Sequence, residues 1–106
     1  MTETAVVTLQ AIQLRFLSEK DEAAFFHWLG LLNNFATYRG DGDAICIDVA
    51  SRKIDDEHLR ELIALFHRYR IDMNQLRVFE TRSNRKWLTN TNAYWHQAMY
   101  EAVPAD

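Results

Sequence analysis

A chain of 106 residues, with 48% hydrophobic and 25% charged side chains, has the size and composition of one globular domain with one core. This composition excludes a disordered or fibrous chain, and no apolar run approaches the ~18 residues needed to cross a bilayer. The net charge of −3 supplies no general attraction to a polyanion, and the single cysteine, Cys46, excludes an internal disulfide.

The start of the sequence and its cysteine content indicate a compartment. The first residues lack the basic and apolar segments of a secretory signal, and one cysteine suits a reducing environment. We therefore expect a cytoplasmic protein that makes no membrane contact. We also expect a single domain over residues 1–106, with about residues 1–8 and 104–106 as candidate flexible tails.

The first predicted element is a strand over Gln10–Phe16, where apolar residues alternate with polar ones. Ile12, Leu14 and Phe16 would face the core. A helix over Glu19–Asn33 follows, with Ser18 as its N-terminal cap. Four residues at helical spacing predict its buried face: Phe25, Trp28, Leu29 and Leu32.

A β-hairpin is predicted next. Two apolar segments, Phe35–Arg39 and Ala44–Val49, flank Gly40–Asp43, and the Asp-Gly pair within this turn readily supplies positive φ angles. In the second strand, alternate residues would face the core: Ile45, Ile47 and Val49. Cys46 would then lie on the less apolar face.

The second helix is predicted over Asp56–Tyr69, with Asp55 as its cap and an apolar stripe of Leu59, Leu62, Ile63 and Phe66. A short helix carrying Met73, Leu76 and Phe79 is favoured after it, although Leu76–Glu80 also suits a short strand.

The rest of the chain completes the predicted fold. Asn84–Thr91 indicates an irregular or single-turn connection, and Tyr94–Val103 a terminal helix ended by Pro104. The sequence thus predicts an α+β fold with a small, antiparallel-containing sheet of three strands, or four if Leu76–Glu80 is a strand, including the hairpin. Two main amphipathic helices and a C-terminal helix would pack against this sheet.

No residues form a recognisable catalytic, metal or cofactor motif. The four histidines fall in separate elements, at His27, His58, His67 and His96. Asp41, Asp43 and Asp48 cluster on the hairpin, but the loop lacks the remaining EF-hand ligands, so turn formation explains them better. Cys46 within a strand has no helix terminus to lower its pKa. We therefore predict no catalytic residue, no metal site and no cofactor.

The segment from His67 to Trp95 carries six basic residues and two acidic ones among five aromatic side chains. Trp, Tyr and Arg are the usual anchors of protein interfaces. The candidate protein-binding residues are Arg82, Arg85, Lys86, Trp87, Tyr94 and Trp95. The more conservative interpretation is that these aromatic residues pack the terminal helix while the arginines are solvated.

Three functions remain open. The leading hypothesis is a non-catalytic module that binds another protein, for example an inhibitor or immunity-type protein. Single-stranded nucleic-acid binding through the same segment is the second, although the net charge does not support it. A small hydrolase or isomerase using Asp41, Asp43 or a histidine is the third. A homodimer is also compatible with the aromatic surplus.

Overall fold

The computed structural model describes residues 5–50 and 54–101. The chain forms an α+β domain with a three-stranded antiparallel sheet in the order β1-β3-β2. The strands are β1 (Val6–Ile12), β2 (Ala36–Asp41) and β3 (Ala44–Ala50), and the helices are α1 (Glu19–Gly30), α2 (Asp56–Arg68) and the single turn α3 (Arg85–Leu88). A 3-10 helix covers Asn74–Phe79, and a π-helical turn covers Gln97–Glu101.

The predicted hairpin between β2 and β3 is confirmed. Asp41 pairs with Ala44, which leaves Gly42 and Asp43 as a two-residue loop. Gly42 has a φ of +63°, the positive angle that a type II′ turn requires at its first central residue. Gly42 is therefore the position in the hairpin where a side chain would strain the backbone.

The central strand β3 separates a core face from an outer face. Ile47 and Val49 are fully buried on the core face, as predicted. Cys46 lies on the opposite face but is only 3% exposed, because it sits between Gln10 of β1 and Arg39 of β2 in the register. The thiol is thus covered although it lies outside the main core.

Helices α1 and α2 pack on the core face and begin at the predicted residues. The Ser18 hydroxyl accepts a hydrogen bond from the Asp21 amide at 3.1 Å, and Asp55 accepts one from the His58 amide at 2.8 Å. Both helices place their apolar stripes in one shared cluster with the sheet: Phe25, Leu29, Leu32, Leu59, Leu62, Ile63 and Phe66 are all buried. At the end of α2, Arg70 adopts a left-handed φ of 57°, where the Ile71 amide binds the Phe66 carbonyl.

The first strand was predicted at the wrong position. β1 spans Val6–Ile12 and places Leu9 and Ala11 in the core, whereas Ile12 is 58% exposed. Leu14 and Phe16 are partly buried, but they lie in the connection to α1. The alternation of apolar and polar residues here resembles that of a strand, because alternate side chains of the connection pack against the core although its backbone does not join the sheet.

Two helix ends also differ from prediction. Helix α1 ends at Gly30 rather than Asn33, because the Leu31 and Leu32 amides bind carbonyls three residues back and tighten the last turn. The predicted terminal helix is a π-helical turn, in which Met99 is buried as expected. Val103 and Pro104 lie outside the described residues.

The structure resolves the open choice at Leu76–Glu80 in favour of a short helix, and α3 is the predicted single turn. These short helices and the π-helical turn bury Leu76, Phe79, Leu88 and Met99 in the core cluster, and Trp95, in the turn between α3 and the π-helical turn, is buried there too. No helix within the described ranges is long and apolar enough to cross a membrane.

Candidate functional site

The six predicted binding residues divide into a buried, an intermediate and an exposed set. Trp95 is only 7% exposed and belongs to the core, whereas Tyr94 is 55% exposed. Trp87 is partly buried. The three basic residues are all exposed: Arg82, Arg85 and Lys86. The structure therefore removes Trp95 from direct contact with a partner and leaves the other five at or near the surface.

Trp95 packs against the rings of both Trp87 and Tyr94. Its indole Nε1 donates a hydrogen bond of 2.8 Å to the Leu88 carbonyl at the end of α3. Trp87 meets it edge to face at a centroid distance of 6.0 Å, and Tyr94 does so at 4.9 Å. Such pairs prefer this T-shaped arrangement, so Trp95 fixes the orientation of both outer rings.

Helix α2 adds two cationic or titratable side chains to these rings. The Arg60 guanidinium carbon lies 4.0 Å from the centroid of Trp87, and His67 lies 4.8 Å from the Tyr94 ring. Arg60 and His67 are two helical turns apart, which places them on the same face of α2. We call Arg60, His67, Trp87, Tyr94 and the underlying Trp95 the aromatic-cationic surface.

Arg60 and His67 are not among the binding residues predicted from the sequence. Their place on one face of α2 is visible in the sequence, but the packing of that face beside α3 and Tyr94 is a tertiary contact. Only the i, i+7 spacing of two polar residues could have suggested that they act together.

Negative charge also lies beside this surface. Glu61 accepts a hydrogen bond from the indole Nε1 of Trp28 at 3.2 Å. Partial burial raises the pKa of Tyr94, the negative charge of Glu61 raises it further, and the positive charge of Arg60 opposes both effects. The aromatic rings are therefore surrounded by charges of both signs.

The charge of Arg85 is engaged within the chain. Its Nε lies 2.8 Å from Oε2 of Glu80, while Oε1 of Glu80 accepts a 3.0 Å hydrogen bond from the Tyr100 hydroxyl. These two contacts, Arg85 first, lower the pKa of Glu80. By contrast, Arg82 and Lys86 are exposed and form no ion pair with the part of the chain that the structure describes.

A buried amide positions the start of α3. Asn84 is 5% exposed; its Oδ1 accepts a hydrogen bond from the Thr81 amide at 2.7 Å, and its Nδ2 donates one to the Phe79 carbonyl at 2.9 Å. Asn84 thereby joins the end of the 3-10 helix to α3, which carries Trp87. This local network places the aromatic-cationic surface relative to the core.

The other groups considered for chemistry lie apart from one another. Asp41 and Asp43 are exposed at the hairpin, while Asp48 accepts hydrogen bonds from Thr8 at 2.6 Å and Arg39 at 3.2 Å. Across residues 5–50 and 54–101, no three His, Cys, Asp or Glu side chains are grouped to hold a metal ion.

A groove of about 700 Å³ lies elsewhere, at the start of α2. Its apolar lining includes Ile54, Val78 and Phe79, and the carboxylates of Asp56 and Glu57 belong to residues that line it as well. None of the six predicted binding residues lines this groove, and neither Asp41 nor Asp43 does. The aromatic-cationic surface is thus an open surface rather than the wall of this groove.

Comparison of the chain with protein-family models, with curated proteins and with solved structures finds no match.

Proposed function

We propose that this chain is a non-catalytic module that binds another protein through the aromatic-cationic surface. The proposal rests on the packing of Trp87 and Tyr94 against the buried Trp95. Arg60 and His67 of α2 contact these two outer rings. Rings that are already fixed lose little conformational entropy when a partner covers them. Trp, Tyr and Arg are also the side chains that contribute most to binding at protein interfaces.

The charges around the rings favour a folded protein partner with charges of both signs. Exposed Lys86, next to Trp87 in the chain, would face an acidic group of the partner, and Glu61 would face a basic one. Such complementarity contributes more to association rate and selectivity than to affinity. An inhibitor or immunity-type protein, which must capture one partner selectively, is a concrete form of this function.

One polar atom of the surface, the Nε1 of Trp87, is an unpaired hydrogen-bond donor within the described residues. The indole Nε1 of Trp87 is buried and has no hydrogen-bond partner among residues 5–50 and 54–101. An unpaired buried donor costs free energy that an acceptor would recover.

Nucleic-acid binding through the same segment competes with this proposal, although the net charge of −3 does not favour it. Phosphate binding depends on several uncompensated cations, and of the six basic residues in this segment only Arg85 forms an ion pair within the described residues, with Glu80. Four further cations of the segment, Arg68, Arg70, Arg82 and Lys86, are exposed and form no ion pair with the described residues. Nucleic acid is therefore the competing outcome of the test.

The test is an affinity pull-down of the tagged chain from lysate of its source cell, treated with nuclease, at physiological and high salt. The binding variant carries Tyr94→Ala and Lys86→Ala, which remove an exposed ring and an exposed charge from the surface. The control variant carries Leu31→Ala and Lys20→Ala, an exposed apolar residue and lysine at α1. Thermal unfolding midpoints of both variants should stay near that of the wild type.

We expect a stoichiometric protein partner that survives nuclease and is retained by the wild type and the control variant, but lost by the binding variant. Capture that Tyr94→Ala and Lys86→Ala leave unchanged would exclude this surface. Recovery of nucleic acid that dissociates at high salt would replace the proposal with the nucleic-acid hypothesis.

A further inference from the structure

The sheet has two edge strands, β1 and β2, and one of them is closed by a side chain. The side chain of Gln75, in the 3-10 helix, makes two hydrogen bonds to the backbone of Gln10. Its Oε1 accepts one from the Gln10 N–H at 2.9 Å, and its Nε2 donates one to the Gln10 carbonyl at 2.8 Å. These are the two bonds that a neighbouring strand would make with Gln10. Gln75 therefore occupies the position of a fourth strand beside β1, as proteins often do to protect an edge.

The register of the hairpin shows which backbone groups of β2 face away from the sheet. Asp41 and Ala44 close a two-residue loop, so they form a hydrogen-bonded pair, and such pairs alternate along an antiparallel ladder. The backbone groups that bond to β3 are therefore those of Thr37, Arg39 and Asp41. The next position in this alternation, Phe35, agrees, because its carbonyl accepts a hydrogen bond from the Ala50 N–H at 2.8 Å. The N–H and C=O groups of Tyr38 and Gly40 point outward.

We infer that this outer edge of β2 binds an extended segment of another protein as a fourth strand. In the described part of the chain, β2 pairs only with β3, and no side chain closes its edge as Gln75 closes that of β1. Strand addition at an exposed edge is a common mode of peptide recognition, in which main-chain hydrogen bonds provide affinity and alternate side chains provide specificity.

The side chains of β2 define the chemistry of this segment. Tyr38 is 45% exposed on the core face, where its ring lies 5.4 Å from Phe26, and a Cβ added to the neighbouring Gly40 would meet no atom within 4 Å. An apolar side chain of the added strand fits beside Tyr38 and over Gly40. On the outer face, the Arg39 side chain is 55% exposed and uses NH1 to bind Asp48. Its remaining donors suit a carboxylate of the partner.

A second copy of this chain fits the edge less well. The two-fold register that uses both outward residues pairs Tyr38 with Gly40 and places Arg39 opposite Arg39 of the other copy, which is repulsive. The register that pairs Tyr38 with itself sets Gly40 against Ala36, whose N–H already binds the Leu32 carbonyl at 2.9 Å. The register that pairs Gly40 with itself sets Arg39 opposite Asp41, but it also sets Tyr38 opposite Gly42, which lies in the turn beyond β2. We therefore assign the edge to a segment of a different protein, with an acidic residue between apolar ones.

The test uses a displayed library of random linear peptides, selected on the immobilised wild-type chain. The discriminating variant is Gly40→Pro, which removes the outward N–H but leaves the bonds of Arg39 and Asp41 to β3 in place. Gly40→Ala is the matched control, because it keeps that N–H and its Cβ meets open space. A Tyr94→Ala variant separates this edge from the aromatic-cationic surface.

We expect selected peptides to alternate apolar and polar residues with an acid at the position facing Arg39. Gly40→Pro should weaken their binding about tenfold or more relative to Gly40→Ala, and Tyr94→Ala should not weaken it. In the wild-type chain, amide hydrogen exchange at Tyr38 and Gly40 should be fast without peptide and slow with it. If Gly40→Pro does not fold, this exchange measurement decides alone.

Three results would overturn the inference: no peptide enriched on the wild-type chain, equal binding to Gly40→Pro and Gly40→Ala, or exchange protection away from Tyr38 and Gly40. Concentration-dependent dimerisation that protects these two amides without any peptide would assign the edge to a second copy. None of these results bears on the Tyr94 and Lys86 variants, so the two proposals can fail separately.

Discussion

The sheet with α1 and α2 and the C-terminal third, residues 74–101, are stabilised in different ways. In the first region, strand ladders and long apolar stripes create the core, and each helix begins at a side-chain cap. In the second, short helical turns are joined by individual side-chain contacts, such as those of Asn84 and the Trp95 indole. A region of the second kind depends more on single side chains, because no regular ladder replaces a lost contact.

The aromatic-cationic surface lies where the two regions meet. Arg60 and His67 come from α2, which has thirteen residues, whereas Trp87 and Tyr94 come from the C-terminal third. A surface assembled in this way is only as rigid as the docking between the regions. Trp95 is the residue that joins them, since it is buried in the common core and also supports both outer rings.

The largest effect is expected from Trp95→Ala. Removing this buried side chain should lower the free energy of unfolding by about 3–5 kcal/mol, because a cavity forms and two edge-to-face contacts are lost. Trp95→Phe should cost less, since it retains most of the volume but leaves the Leu88 carbonyl without its 2.8 Å donor. Equilibrium urea unfolding measures both changes.

The comparison residue for Trp95 is Phe66 of α2, which is fully buried. Phe66→Ala should destabilise the whole domain, whereas Trp95→Ala should first increase hydrogen exchange within residues 85–101. Equal exchange increases throughout the chain in both variants would show that the two regions unfold as one unit.

The difference between the regions also explains what the sequence could predict. The Asp55 cap and the Leu59, Leu62 and Phe66 stripe specify α2 locally, and the Gly42 turn specifies the hairpin. The true first strand was missed because its core residues include the small Ala11, which gives a weak alternation signal. The better alternation, at Ile12, Leu14 and Phe16, belongs mostly to a connection.

For the candidate site, residue composition selected a segment of the chain but could not predict the geometry of that segment. Trp87, Tyr94 and Trp95 were found by their residue types, yet nothing local indicates that Trp95 is buried beneath the other two. Glu80 binds Arg85, five positions away, and also the hydroxyl of Tyr100, twenty positions away. The second of these contacts is tertiary and is not visible in the local sequence. Side chains from distant positions decide which charges remain available.

An intermediate effect is expected from Asn84→Ala. This change leaves the Thr81 amide and the Phe79 carbonyl without partners in a buried place, which should cost about 1–3 kcal/mol. Because Asn84 precedes α3, the ring of Trp87 should also lose order. Urea unfolding measures the stability, and tryptophan fluorescence anisotropy measures the mobility of the rings.

The matched change in the first region is Asp55→Ala, which removes the cap of α2 at a cost of about 1 kcal/mol. It should leave tryptophan anisotropy unchanged, because α2 is also held by its buried stripe. Anisotropy that falls equally in both variants would contradict the distinction between the regions.

The smallest effect concerns pH and the contact between Glu80 and Tyr100. Glu80 has a pKa held below its ordinary 4.5 by Arg85 and Tyr100, so its contribution is present above pH 4.5 and is lost as the pH falls through the lowered value. Burial, and then Glu80, raises the pKa of Tyr100 from 10.0 to about 12. Its contribution is present below pH 10 and is lost as the pH rises through about 12.

Glu80→Gln tests this pair without removing a core side chain. The pKa of Tyr100 should fall towards 10.0 but stay above it, because burial is the larger cause of the shift and remains in the variant. Rapid-mixing titration of tyrosinate absorbance measures the change, and Tyr100→Phe identifies which step belongs to this residue. An unchanged titration in Glu80→Gln would mean that the carboxylate does not face the Tyr100 hydroxyl in solution, and that the C-terminal third is held there by burial alone.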